Sequence, residues 1–246
     1  MDLRCWITLA SNVIAKIAEL TNNLSDKQTY HEYYLLLSNN DLLNSLHWSG
    51  TQYADYGLHS NNIKLVRPPA KQEMNRPPQQ QQMIRQVDIE PKYDYVNSLG
   101  YVSLFPLLLE IIDADSPNLE IVLDQIKNPS FWTKYGLRSL AKSAPLYAKR
   151  NTEHDPPYWR GAIWININYL ALKSLKHYST IDGPYKEKAG KIYSELRNAI
   201  VNNILDNYHK TGYIWEQYND INGKGQGSHP FTGWSSLFVL MMSEIY

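Results

Sequence analysis

Cysteine is almost absent: Cys5 stands alone in 246 residues, so no internal disulfide can form and no cysteine cluster can hold a metal. A core of this size does without such staples, so the shortage leaves a secretory compartment open. Net charge is absent as well, with 24 basic residues against 24 acidic ones, and nothing points to nucleic acid or an anionic membrane as partner. Long hydrophobic runs are also missing. The opening stretch, MDLRCWITLASNVIAKIAEL, lacks the basic start and unbroken apolar run of a signal peptide. Lys16 and Glu19 interrupt it short of a membrane span. Any targeting information therefore lies outside this chain. The histidines are scattered without a His-x-x-x-His pair, and no Gly-x-Ser-x-Gly occurs. Metal binding is thus weakly supported, and a serine nucleophile not at all.

Phenylalanine is scarce at 4, whereas Tyr reaches 19 and Trp 7. Rings with an apolar face and a polar edge suit sugars and helix packing equally well. Asn23-Leu24-Ser25 is a formal glycosylation acceptor of a kind common by chance.

Helical periodicity dominates the rest. Leu3, Ile7, Ala10, Ile14 and Ile17 form one stripe, and Trp164, Ile167, Ala171, Leu175 and Tyr178 a second. Tyr185, Ala189, Ile192, Leu196, Ile200 and Ile204 form the cleanest, with Lys186, Glu187, Lys191, Glu195 and Arg197 on other faces. Further helices are predicted around 27–46, 94–112, 117–127, 136–147 and 232–245, with Pro106 kinking or dividing the second of these. Residues 67–92, rich in Pro and Gln, read as a long surface loop inserted between helices of similar character. LHWSGTQYADYG and YHKTGYIWEQYND echo each other: each follows a helix, turns at Gly, and presents aromatic, acid and Tyr. The echo suggests a repeated helical hairpin.

Two clusters carry candidate chemistry. In NTEHDPPYWRGAIWININYLAL, Pro156 and Pro157 hold the chain extended and a helix is predicted to begin near Tyr158 or Trp159. His154, Asp155, Tyr158, Trp159 and Arg160 then gather at a helix N-terminus, where Gly161 permits close approach. Arg160 can offer a planar fork to sugar hydroxyls or a carboxylate, and Trp159 or Trp164 can lie under a pyranose ring. The same residues read equally as an Asp155 cap, a surface ion pair of Arg160 and two core tryptophans. In TGYIWEQYND, Glu216 sits between Trp215 and Gln217 just past a helix end. Glycoside hydrolysis needs two carboxyl groups, and Glu216 is a candidate base. In the tail after Lys224, Gly225, Gly227 and Gly233 permit tight backbone, and Thr232 or Ser235 can cap a last helix.

EHDPPYWRGAIWININYLAL, GYIWEQY and HPFTGWSSL, with DLRCW, YADYG, LVRPP, YVSLFPLLL and YGLRSLA, resemble the catalytic domain of the processing alpha-glucosidases of glycoside hydrolase family 63. The match runs in order over essentially the whole chain, with departures in the 67–92 loop. The resemblance implies an all-α fold, part of an (α/α)6 toroid of helical hairpins with the site at one mouth. It implies inverting removal of the terminal alpha-1,2-linked glucose from the triglucosylated N-glycan precursor in the endoplasmic reticulum lumen, with no metal and no cofactor. The partner it implies is the N-linked oligosaccharide on nascent glycoproteins, with membrane contact only through an anchor absent from this chain. Glu216 matches the general base. Asp155, Tyr158, Trp159, Arg160, Gly161, Trp164 and Trp215 become substrate-binding candidates, and Asp2 matches a supporting acid. The general acid belongs to an SGLDDYPR-like segment upstream of DLRCW that this chain does not contain. An amino-terminal β-rich domain and the first toroid helices are likewise not represented. Residues 1–246 are therefore expected to be the carboxy-terminal part of the catalytic domain, inactive alone. A trehalase-like toroid hydrolase and an inactive, sugar-binding or structural remnant are the alternatives.

Overall fold

The chain opens with a helical pair, α1 (Asp2–Leu20) packed on α2 (Leu24–Ser38). The computed structural model describes residues 1–68, 82–150 and 152–246. Asn23 caps α2 by accepting from Asp26 N–H at 3.2 Å. Asn39 ends α2 and caps α3 (Asn40–His47), taking the Leu42 N–H at 2.8 Å, so the single helix expected over 27–46 is two.

α1 corrects the sequence reading more sharply. Its expected apolar stripe faces outward: Leu3, Ile7, Ile14 and Ile17 are exposed, while Cys5, Thr8, Ser11, Ala15 and Ala18 are buried. Small side chains let neighbouring helices approach closely, so the small face is the one that packs against α2 and α4 (Tyr101–Leu108).

Between α3 and α4 the chain forms antiparallel ribbons that the helical reading missed. β1 (Tyr56–His59) pairs with β4 (Lys92–Tyr95), and β2 (Ile63–Val66) with β3 (Ile84–Val87), in the registers Tyr56 to Tyr95 and Ile63 to Val87. The predicted 67–92 loop is therefore partly strand. Its stretch from 69 to 81 lies outside the described residues. α4 is shorter than the 94–112 helix expected, and Pro106 falls near its end. α5 (Pro117–Ile126) follows, with Ser116 as N-cap and Pro117 in the first turn.

No helix covers 136–147. β5 (Trp132–Thr133) and β6 (Gly136–Leu137) make a tight hairpin, with Gly136 at φ +137°. Beyond it the backbone bonds to other segments: Ser139 N–H to Ala162 O at 3.0 Å, and Ala141 N–H to Leu99 O at 2.8 Å. These pairings satisfy the groups a helix would have used.

α6 (Ile165–Thr180) and α7 (Lys186–Thr211) form the central pair and carry their stripes as expected. Ala171, Leu172, Leu175, Leu196, Ile200 and Ile204 are buried, each large aliphatic chain contributing about 1.5–3 kcal/mol by leaving water. α7 ends where Gly212 adopts φ +75° and its N–H returns to Tyr208 O at 2.7 Å. The short ribbon of β7 (Gln217–Tyr218) and β8 (Gly225–Gln226) follows, then a 3-10 turn over Trp234–Leu237 and α8 (Phe238–Ser243). After both α3 and α7 the chain thus turns into an antiparallel ribbon, which is where the two echoing segments lie. Among the described residues no helix is long and apolar enough to cross a membrane.

A buried polar knot ties α4, β6 and α6 together. Tyr101 Oη donates to Leu137 O at 2.7 Å and accepts from Trp164 N–H at 3.1 Å. Asn168, fully buried, gives its Nδ2 to Tyr101 Oη, Leu137 O and Trp164 O, and its Oδ1 takes Leu137 N–H at 2.8 Å. Asn168→Ala leaves the buried Leu137 N–H without a partner, at about 1–3 kcal/mol, and removes one further bond each from Tyr101 Oη, Leu137 O and Trp164 O. The expected loss in urea denaturation is about 3 kcal/mol, and a loss below about 1 kcal/mol would show that the knot is dispensable.

Candidate active site

Glu216 stands at the entry to β7, and three separate segments hold it. Its N–H donates to Ser228 O at 3.0 Å, and Ser228 N–H donates back to its Oε2 at 3.0 Å. Tyr158 Oη donates to Oε1 at 2.7 Å. Trp234 Nε1–H donates to the Glu216 carbonyl at 2.8 Å, while Ser235, instead of capping a helix, donates to Trp215 O at 2.7 Å. Tyr218 and Ile163 exchange backbone bonds at 2.8 and 2.9 Å, fastening β7 to the segment that carries Tyr158.

The two donors on the carboxylate favour its ionised form. The Ser228 N–H, and after it the Tyr158 hydroxyl, hold the Glu216 carboxyl below its ordinary range. The same contact raises Tyr158, whose ionisation would put a second negative charge beside Glu216. A carboxylate offers about four acceptor sites and two are used here, so water still has room to bind.

Gly227 makes this arrangement possible. It lies at φ +75°, and a Cβ there would sit 2.6 Å from Glu216 Oε2. The adjoining cavity, of about 490 Å³, is lined by Tyr147, Tyr158, Arg160, Glu216, Asp220 and Gly227 among others.

The helix expected to begin near Tyr158 begins instead at Ile165, with Trp164 as N-cap. The segment before it is a set of turns in which Tyr158 holds φ +50° and Gly161 φ +150°. Asp155, Tyr158, Trp159 and Arg160 therefore line a second, outer cavity formed by these turns and not by a helix N-terminus. Asp155 is exposed and accepts from Thr152 Oγ1 at 2.8 Å. Arg160 donates to Lys149 O at 3.2 Å and makes no ion pair among the described residues.

Trp159 lies on Trp164 with ring centroids 3.8 Å apart and planes 11° from parallel. Trp164 is fully buried and supports Trp159 from behind. Trp159 is 43% exposed and also lines a smaller cavity with Asp55 and Tyr101. Trp215 stacks on His229 at 3.8 Å and does not line the Glu216 cavity. Asp2 does not line it either; it opens α1, 4.0 Å from the terminal ammonium group that pairs with Asp55.

The family model described as "Glycosyl hydrolase family 63 C-terminal domain" matches residues 1–244. The chain belongs to glycoside hydrolase family 63. It is 48% identical to mannosyl-oligosaccharide glucosidase GCS1 of Arabidopsis thaliana over all of its own length and 29% of that relative. It is 44% identical to alpha-glucosidase 2 of the same plant over 32% of that protein, and 28% identical to mannosyl-oligosaccharide glucosidase of Saccharomyces cerevisiae over 26% of it. The chain thus spans about a third or less of the length of the curated relatives it matches. Among solved structures, a family 63 mannosylglycerate hydrolase of Thermus thermophilus in complex with glucose superposes with a TM-score of 0.59 at 16% identity. That superposition covers 98% of this chain and 46% of the other. The mostly helical (α/α)-type architecture expected of the family is therefore the one observed.

Tyr147, Asp220 and the Ser228 N–H were not anticipated as cavity or carboxylate partners. Only the glycine at 227 hinted at the last of these, by allowing a close approach. Gly227→Ala drives a methyl group into the Glu216 carboxylate. The expected result is a fall in family 63 hydrolase activity of about 10²-fold with a largely retained thermal transition. Full activity in the alanine variant would mean that Glu216 has another position to occupy.

Proposed function

We propose that Glu216 is the general base of an inverting glucosidase that takes the terminal alpha-1,2-linked glucose from the triglucosylated N-glycan precursor. The observation that carries this reading is the carboxylate itself. It is oriented through both oxygens by neutral donors, kept ionised, and opens on a cavity of sugar size. A base of this kind takes a proton from the water that attacks the anomeric carbon, while an acid roughly 6.5–9.5 Å away protonates the leaving oxygen. Glu216 supplies the first half of that pair.

Neutral donors suit this task. Tyr158 and Ser228 N–H orient Glu216 without placing a positive charge beside it, so the carboxylate stays charged yet still accepts a proton as the transition state forms. Trp159, flat on Trp164 and half open, offers a platform for a pyranose ring, and Arg160 and Asp155 offer hydroxyl contacts at the rim. The glucosidase relatives support the glucan chemistry, and an N-linked oligosaccharide in the endoplasmic reticulum is the substrate setting that fits them.

Glu216→Gln in the intact protein keeps the shape and removes the base. Turnover of a triglucosylated oligosaccharide is expected to fall by about 10²–10⁴-fold with glycan binding retained. A variant that keeps most of its turnover would assign the base elsewhere.

Tyr158→Phe tests the electrostatics. Loss of a donor to the ionised form raises the Glu216 pKa, so the acid limb of the kcat/KM profile moves to higher pH while the plateau keeps its position. An acid limb that stays in place or moves down contradicts the assignment.

A further inference from the structure

The wall of the Glu216 cavity contains a second carboxylate that general-base catalysis leaves without a task. Asp220 follows β7, and its side chain is 9% exposed. Arg138, itself 4% exposed, places Nε 3.0 Å from Asp220 Oδ2. Tyr147 Oη donates to the same oxygen at 2.6 Å. Gly161 allows this contact: a Cβ there would lie 3.1 Å from the Tyr147 ring. Burial, and after it the bond to Asp220, pushes the Tyr147 phenol up to about 12, so it remains a donor at any working pH.

A buried carboxylate is costly unless it is paired, and Arg138 answers that cost. The manner of pairing is informative. Arg–carboxylate pairs are frequently bidentate, the planar fork meeting both oxygens. Here Arg138 approaches through Nε alone, without hydrogen-bond alignment, and turns Nη1 to Ser130 O at 2.6 Å. Both protein contacts converge on Oδ2. Oδ1 makes none, and it is not among the polar atoms sealed from solvent without a partner. It therefore keeps some access to solvent, on a residue that lines the cavity together with Glu216.

We propose that Asp220 is a substrate-binding residue whose Oδ1 accepts a hydroxyl of the sugar lying beside Glu216. The proposal rests on the reading of this cavity as a glucose site. Arg138 and Tyr147 are then positioning residues: they occupy Oδ2 and aim Oδ1 at the ligand. A charged acceptor fixed in this way rejects a sugar that lacks the matching hydroxyl, because its desolvated oxygen is left unpaired.

The test measures inhibition by glucose and by its monodeoxy analogues in the intact protein, in Asp220→Asn and in Tyr147→Phe. In the unsubstituted protein, removal of one particular hydroxyl is expected to weaken inhibition by about 10- to 100-fold. In Asp220→Asn the penalty at that position shrinks by at least about threefold, because a neutral acceptor bonds roughly half as strongly, while the penalties at other positions stay as they were. Tyr147→Phe, which retains the Arg138 ion pair, shrinks the same penalty in the same direction, and it decides the matter if Asp220→Asn fails to fold. Penalties unchanged at every position overturn the role of Asp220 and leave the glucose site intact. Absence of any inhibition by glucose in the unsubstituted protein overturns the site and this proposal together.

Discussion

The side-chain amide of Asn168 has no access to water, so every hydrogen bond it makes must come from the protein. It spends them on three segments at once: the β6 backbone at Leu137, the α4 ring of Tyr101 and the first turn of its own helix at Trp164. Tyr101 closes the circuit by donating to Leu137 O. The consequence reaches the site in short steps. Trp164 is fixed by the knot and lies under Trp159, with Tyr158 edge-on to it at 4.7 Å between centroids. Ile163, one residue earlier, pairs with Tyr218 in β7, two residues beyond Glu216. Glu216 and its hydroxyl donor thus hang from one buried amide, although neither touches it.

The helical pair at the centre was legible because both of its stripes face a core. α6 and α7 bury what periodicity selects, and the Gly212 terminus is a local signal. α1 was misread because periodicity locates an apolar face without saying what lies against it. There the small face is packed and the apolar one is exposed. The 136–147 segment failed for another reason. Its backbone groups are taken up by Ala162, Leu99 and Ser130, contacts distant in sequence that no local propensity can report. The short strands on either side of residue 75 escaped for the same reason, since each finds its partner only across the loop.

Within the site, Glu216 was legible from its motif, and its partners were not. Tyr158 was singled out as part of an aromatic cluster at a helix start, yet it reaches Glu216 from a left-handed turn well before that helix. Asp220 lies near Glu216 in sequence, but no motif singled it out. Its meaning depends on Arg138 and Tyr147, which belong to a region misread as helix.

Glu216 and Asp220 line one cavity and are held by partners of different kinds. Here the charges are met by different means. Asp220 faces a buried guanidinium, a permanent positive charge that cancels its field at short range. Glu216 faces a hydroxyl and a backbone N–H, which stabilise its charge without cancelling it. A permanent countercharge makes a carboxylate a poor proton acceptor and a dependable hydrogen-bond acceptor. Neutral donors leave a carboxylate charged and still able to take a proton. The proposed proton transfer at Glu216 and the proposed hydroxyl recognition at Asp220 both rest on that difference in partners.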